Sequence, residues 1–182
     1  MQEFVVLVDD DNRQVGLMPK LEAHNSNTPL HRAFSCYVFN AEGKFLLTQR
    51  ALSKKVFPGV WTNSCCGHPG PGEATEDAVK RRLMFELGLK AESLMVILPD
   101  FRYRAEMKGI VENEICPVYV AFVDNEPIPS PEEVETYEWV DWVDFVARLK
   151  ENPATYSVWS LMQVEKLTDD NLFQEILKRI SI

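Results

Sequence analysis

Cys65, Cys66 and His68 stand together in the stretch Thr62–Leu89, TNSCCGHPGPGEATEDAVKRRLMFELGL, just ahead of a run that carries Glu73 and Glu86. A thiol has an ordinary pKa of about 8.5 and can be tuned in either direction near neutrality, so this cluster could move protons. Adjacent thiols on an extended backbone point to opposite sides, so only one of them can face a substrate. Glu112 and Glu114 are a second constellation: two residues apart on a strand, they send their carboxylates out of the same face. Such a pair could simply face water. Buried beside His24, His31 and His68, it would need a cation to offset its repulsion, and imidazoles with carboxylates suit Zn²⁺, Mn²⁺ or Fe²⁺ better than Ca²⁺. His24 and His31, either side of Pro29, would by themselves read as surface residues. The chain has three histidines and the third is His68, which weights the metal reading.

These residues need elements to hold them. Gly67, Gly70 and Gly72 with Pro69 and Pro71 dictate a bent loop, and Ala74, Ala78, Val79, Leu83 and Leu87 then recur at helical spacing over Glu73–Leu87. Gly88 supplies a left-handed residue to end that helix. Glu3–Val8 and Val15–Met18 read as a hairpin closed by Pro19, and Ala33–Phe39 with Phe45–Arg50 as a second hairpin across residues 40–44. Leu94–Leu98 and Phe101–Ala105 are extended, and Ile110–Val123 reads as one long strand carrying both glutamates. After a proline-rich loop over 124–131, Thr136–Trp142 is expected to be the last strand. Val143–Glu151 and Tyr156–Leu167 are expected as helices, and Asp169 can cap a final one with Leu172, Phe173, Ile176, Leu177 and Ile180 on its apolar face. The basic run RALSKK at 50–55 is either a solvated turn or, because it abuts Trp61 and the thiol loop, a diphosphate-binding element. The aromatic group Trp139, Trp142, Tyr156 and Trp159 reads as core.

A chain of 182 residues suits one domain over 1–182 with one buried core. A formal net charge of −9 disfavours a general nucleic-acid or anionic-membrane binder, yet leaves room for a small anionic substrate met by a local basic cluster. No signal peptide or membrane span is read at the N-terminus, where Asp9, Asp10 and Asp11 follow a short apolar run, so a cytoplasmic protein is expected. Four cysteines with one adjacent pair and no CxxC fit reduced thiols. No G-x-G-x-x-G fingerprint points to a nicotinamide or flavin cofactor.

As a pattern, Gly67, five residues, Glu73, seven residues, Arg81 and then Arg82–Leu89 resembles the Nudix box, with Arg82 and Phe85 where Nudix pyrophosphohydrolases carry glutamates. With His24 and His31 upstream, RALSKK at 50–55, PGVWTNSCCGHP at 58–69, LPDFRYRA at 98–105 and IVENEICPVY at 110–119, the chain resembles the type 1 isopentenyl-diphosphate isomerase branch of that family. The resemblance implies an α/β fold, a Nudix-type α/β/α sandwich with a mixed sheet. It implies an enzyme of isoprenoid biosynthesis interconverting isopentenyl and dimethylallyl diphosphate. Cys66, Glu114 and Tyr103 would be its catalytic residues, with Tyr103 hydrogen-bonded to Glu114, while Cys65 packs inward. Lys20, Arg50, Lys54 and Arg82 would meet the diphosphate, and Trp159 would offer a π-face to cationic character. His24, His31, His68, Glu112 and Glu114 would hold Mn²⁺, Zn²⁺ or Mg²⁺, and Glu86 would serve a Mg²⁺ carried in with the substrate diphosphate. The partner expected is that small diphosphate, with neither nucleic acid nor membrane, for a monomer or homodimer. A Nudix pyrophosphohydrolase of a nucleoside diphosphate derivative is the alternative, opposed by Arg82 and Phe85. A non-catalytic binding module is the rival from another class.

Overall fold

The computed structural model describes residues 3–180, so the outermost residues of the expected domain, 1–2 and 181–182, lie outside the described residues. Strand β1 (Phe4–Val8) turns at Asn12, whose φ is 60°, into β2 (Gln14–Pro19). The short helix α1 (Lys20–Ala23), which no sequence signal announced, follows without a break. Then come β3 (His31–Arg32), β4 (Phe34–Asn40), β5 (Phe45–Arg50), β6 (Trp61–Thr62) and β7 (Cys65–Gly67). Helix α2 (Thr75–Leu87) leads to β8 (Ser93–Leu98), β9 (Arg102–Met107), β10 (Ile110–Ile115), β11 (Val118–Val123) and β12 (Val134–Val140). Helices α3 (Trp142–Glu151), α4 (Val158–Asp169) and α5 (Asn171–Ile180) complete the order.

The strands form two mixed sheets, β2-β1-β3-β10-β9 and β12-β5-β4-β11-β8, with β6 on β5 and β7 on β4. Each is mixed because β10 runs parallel to β3, and β11 to β4, among antiparallel neighbours. The second sheet is the middle layer. Along β4 successive side chains alternate, Phe34, Cys36 and Val38 joining the cluster of Ala78, Val79, Leu83 and Leu87 from α2. Tyr37 and Phe39 point the other way, into the cluster with Phe145 of α3, Trp159 and Leu167 of α4, and Phe173 of α5. A strand buried on both faces loses the polar alternation of a one-sided strand, which is why β4 reads as a continuous apolar run.

The expected single strand Ile110–Val123 is two strands in different sheets. Pro117 lacks a backbone donor and forces its predecessor away from regular pairing, so the chain leaves the first sheet at Ile115 and enters the second at Val118. The second hairpin is also looser than expected: β4 and β5 pair only at Phe39↔Phe45 before β7 and β6 take over their inner edges. The final helix is capped by Asp170, whose Oδ1 accepts from Phe173 N at 2.8 Å, while Asp169 closes α4. Trp142 opens α3 and does not end a strand, and Tyr156 precedes α4, whose cap is Ser157 accepting from Ser160 N.

Candidate active site

Two sheets and three helices deliver one cluster. α1 carries Lys20 and its C-cap is His24, β3 begins at His31, and β7 runs through Cys66 into His68. β10 supplies Glu112 and Glu114, β9 supplies Tyr103, the end of β5 and its following loop supply Arg50 and Lys54, α2 supplies Arg82 and α4 supplies Trp159. All the expected site residues except His31 and Glu86 line one cavity of about 320 Å³. His31 lies behind it, fully buried, and Glu86 turns away to Arg82. The approach of β7 to α2 depends on Gly67: a Cβ there would meet Arg82 Cγ and Phe34 Cζ at 3.0 Å. At the other end of α2, Gly88 at φ 62° lets its own N–H and that of Leu89 reach the carbonyls of Met84 and Leu83. Glu73 stands before the helix, where it accepts from Gly70 N and from Arg81 and keeps the loop bent.

At one end of the cavity the three imidazoles pack at centroid separations of 5.1–5.3 Å. His24 Nδ1 sits 2.7 Å from Lys20 O and His31 Nδ1 2.9 Å from Pro29 O, contacts that keep a proton on each Nδ1 and leave each Nε2 to the cluster, where it can bear a proton towards a carboxylate or ligate a cation. His24 Nε2 is 3.1 Å from Glu112 Oε2, and Glu114 Oε1 is 3.1 Å from His68 Nε2 and 3.5 Å from His31 Nε2. His31 Nε2, His68 Nδ1 and Glu112 Oε2 are nonetheless buried without an aligned hydrogen bond. One donor atom from each of the five residues lies within 4.8 Å of all the others. Buried donors left without partners are costly, and a divalent cation is the group that would satisfy imidazoles and carboxylates together, so the donor set fits a metal. Burial and then the neighbouring Glu114 raise the Glu112 pKa. Burial acts against the Glu114 charge too, but His31 and His68 outweigh it and hold Glu114 well below the usual carboxylate range. Burial lowers the His68 pKa to about 3 against the pull of Glu114, so at neutrality its ring is uncharged and able to ligate.

The other end is cationic. Lys20, Arg50, Lys54, Lys55 and Arg82 converge on the cavity. Four of them are already positioned: Arg50 donates to the carbonyls of Phe57 (2.9 Å) and Val56 (2.8 Å), Lys20 pairs with Glu3 at 2.7 Å, and Lys54 pairs with Glu133. Arg82 pairs with Glu86 at 2.7 Å and Glu133 at 3.0 Å, and its guanidinium lies 5.0 Å from the Phe85 ring centroid. Four held cations, with the exposed Lys55 at the rim, form a pocket for a multiply charged anion.

Between the two ends lie Cys66, Tyr103 and Trp159. Cys66 is half-buried and lines the cavity, whereas Cys65 is buried in the α2 cluster, so the two thiols do leave opposite sides of β7. Burial pushes the Cys66 thiol up to about 11, with Ser35, Asn63 and Arg50 pulling the other way. It donates to Asn63 Oδ1 at 3.1 Å, and Ser35 Oγ is 3.4 Å away. The same Asn63 oxygen accepts from Trp159 Nε1 at 3.0 Å, and Arg50 lies 5.7 Å over the indole. Tyr103 and Glu114 are direct partners across the β9–β10 ladder, but among the described residues no hydrogen bond joins the Tyr103 hydroxyl to Glu114. Sequence reasoning missed Asn63, Ser35 and Gln163, the last donating to Ser35 Oγ at 2.8 Å. The available signal was a polar residue inside an otherwise apolar strand, Ser35 in FSCYVFN.

The NUDIX domain family matches residues 29–160. The Isopentenyl-diphosphate Delta-isomerase of Saccharopolyspora erythraea is 52% identical over 168 residues, covering 92% of this chain and 87% of that protein. The protein of the same name from Klebsiella pneumoniae is 48% identical over 164 residues, covering 90% of this chain and 89% of that one. Among solved structures, DR0079 from Deinococcus radiodurans aligns with a TM-score of 0.65 at 19% identity over 99% of this chain and 100% of that chain. The MutT protein of Methanosarcina mazei aligns at 0.55 with 22% identity over 65% and 82%. These two likenesses concern the fold. Matched over most of its length by a Nudix domain and by isomerases at about half identity, the chain belongs to the isopentenyl-diphosphate Delta-isomerase family of the Nudix superfamily.

Proposed function

We propose that residues 1–182 act as one domain that interconverts isopentenyl and dimethylallyl diphosphate in the cytoplasm, as a step of isoprenoid biosynthesis. The observation that carries this reading is one cavity with a cationic end, a His/Glu end and, facing the space between them, two groups able to exchange protons, Cys66 and Glu114, brought in by different sheets. Lys20, Arg50, Lys54 and Arg82 bind the diphosphate, which orients the five-carbon chain along Val56, Ile110 and Trp159. The reaction adds one proton to the terminal methylene and removes one from the allylic carbon, so the double bond shifts and no electrons are gained or lost. One of Cys66 and Glu114 gives a proton and the other takes one, the roles exchanging with direction. Tyr103 stands opposite Glu114 on the neighbouring strand and lines the same cavity, within the space where Glu114 would take or return its proton. The Trp159 face stabilises the tertiary cationic character that develops, an interaction worth on the order of 2 kcal/mol in a desolvated site. Asn63, shared by Cys66 and Trp159, fixes thiol and indole relative to one another.

His24, His31, His68, Glu112 and Glu114 would hold Mn²⁺, Zn²⁺ or Mg²⁺, and Glu86 would serve a Mg²⁺ with the substrate diphosphate on giving up its pair with Arg82; bound there, these ions would supply charge neutralisation. Hydrolysis in the Nudix manner is opposed by α2 itself. At the two positions where acids would collect Mg²⁺, Arg82 is buried in ion pairs and Phe85 is exposed beside it. Incubation with isopentenyl diphosphate in heavy water tests the reading: dimethylallyl diphosphate bearing deuterium, without phosphate release, is expected. Steady release of phosphate with no isomerised product would overturn it.

A further inference from the structure

The cationic end of the cavity is held from behind by a residue that neither composition nor motif marks. Glu133 does not line the cavity, and its side chain is only 14% exposed. One carboxylate oxygen is paired with Lys54 and the other lies 3.0 Å from Arg82 Nη2. Lys54 comes from the loop after β5 and Arg82 from α2, so one side chain ties together two cations carried by separate elements. Lys54 depends on it most, being opposed by burial and by Arg50, while Arg82, largely desolvated, has Glu86 at 2.7 Å as a second counter-charge.

The backbone that carries Glu133 is itself a strap between those two elements. Ile128 N and Ser130 N donate to the carbonyls of Leu87 and Glu86, using acceptors that the end of α2 leaves free. Glu133 N and Val134 N close on Ser130 O, and Ala51 N donates to Glu133 O at 3.0 Å, fastening the strap to the loop that carries Lys54. The position of Glu133 is therefore set by main-chain bonds at both ends. A carboxylate so fixed can define the separation of the two cations before any ligand arrives, which lowers the ordering cost of binding.

We propose that Glu133 is a positioning residue for the reaction: it holds Lys54 and Arg82 at the spacing that receives the diphosphate. The inference rests on the isomerase reading for the substrate, but not for the binding test. With Glu133→Gln, Lys54 loses its paired carboxylate and Arg82 keeps only Glu86, so nothing ties the two cations to one another. KM for isopentenyl diphosphate and the dissociation constant of inorganic pyrophosphate should then rise together, by roughly tenfold or more. Because the carboxylate stands away from the reacting carbons, kcat should stay within about threefold. Glu133→Asp keeps the charge but withdraws it by one methylene, so it should fall between the two, and it carries the test if the Gln variant does not fold. Circular dichroism and thermal unfolding verify the fold of each variant. Pyrophosphate binding in the folded variants that is unchanged would overturn the proposal. Tighter binding would also overturn it, since it would make Glu133 a competitor of the anion. If the unaltered protein yields no isomerised product, the isomerase reading fails, while the pyrophosphate comparison by calorimetry still decides the role of Glu133.

Discussion

Replacing Cys66 by Ala should abolish most of the turnover while leaving the protein folded, and the structure allows both halves to be weighed. The thiol hydrogen has two polar neighbours, and neither is orphaned by its loss. Asn63 Oδ1 still accepts from Thr62 Oγ1 at 2.9 Å and Trp159 Nε1 at 3.0 Å, and Ser35 Oγ still accepts from Gln163 Nε2 at 2.8 Å. The folding cost is then that of one ordinary hydrogen bond, about 1 kcal/mol, against a stability of about 5–15 kcal/mol for a domain. Nearly all molecules remain native. Loss of an acid-base group costs at least ~10²-fold in rate, equivalent to about 2.7 kcal/mol of barrier, which unfolding could not mimic here. Cys66→Ser is sharper still, because a hydroxyl keeps the hydrogen bonds but ionises far less readily. Cys65→Val is the control: its site is packed with Phe34 and Leu83 behind the sheet, so it should cost at most about 1–3 kcal/mol of stability and leave turnover within a few-fold. Turnover and deuterium exchange, with circular dichroism on each variant, check all three. A folded Cys66→Ala protein with near-normal exchange, or a folded but inactive Cys65→Val one, would refute the reasoning.

His68→Asn should lower both bound divalent metal and turnover, because Glu112 and Glu114 lose an uncharged ligand that shares their cation; unchanged metal content by elemental analysis would count against the five-residue site. Acid should weaken the fold through Glu133, where burial opposes the charge but Lys54 and Arg82 bring the pKa from 4.5 down to about 2. A lowered folded pKa means the stabilisation is full above the unfolded value and is lost as pH falls through the folded one, so the stability gap between the unaltered protein and Glu133→Gln should be constant above about pH 5 and narrow as pH falls from about 4.5 towards about 2; urea midpoints that keep a constant gap down that range would contradict this. Phe145→Ala empties a site 0% exposed, with Phe45 at 4.7 Å and Trp142 at 5.3 Å, and should cost about 3–5 kcal/mol by thermal or urea unfolding without altering pyrophosphate binding.

Local chemistry made much of this protein legible from the chain alone. The α2 helix, its glycine stop and the bent loop before it follow from spacing and from conformations that Gly and Pro impose within a few residues. Glu112 and Glu114 share a face because strands have a period of two, and Cys65 and Cys66 do not for the same reason. Motif resemblance then singled out the residues that gather at the cavity, since those side chains act on a ligand and stand in recognisable blocks. Long-range pairing is another matter. Whether 110–123 is one strand or two depended on which partners the segments found, β3 and β9 before Pro117, β4 and β8 after it. The pairing of His24 with Glu112, and of His31 and His68 with Glu114, required three remote segments to meet, which no local period encodes. Asn63, Gln163 and above all Glu133 were invisible in the sequence because their types are ordinary for a turn, a helix and a loop. Only the tertiary structure, by burying each beside a group that needs a partner, gives them a task.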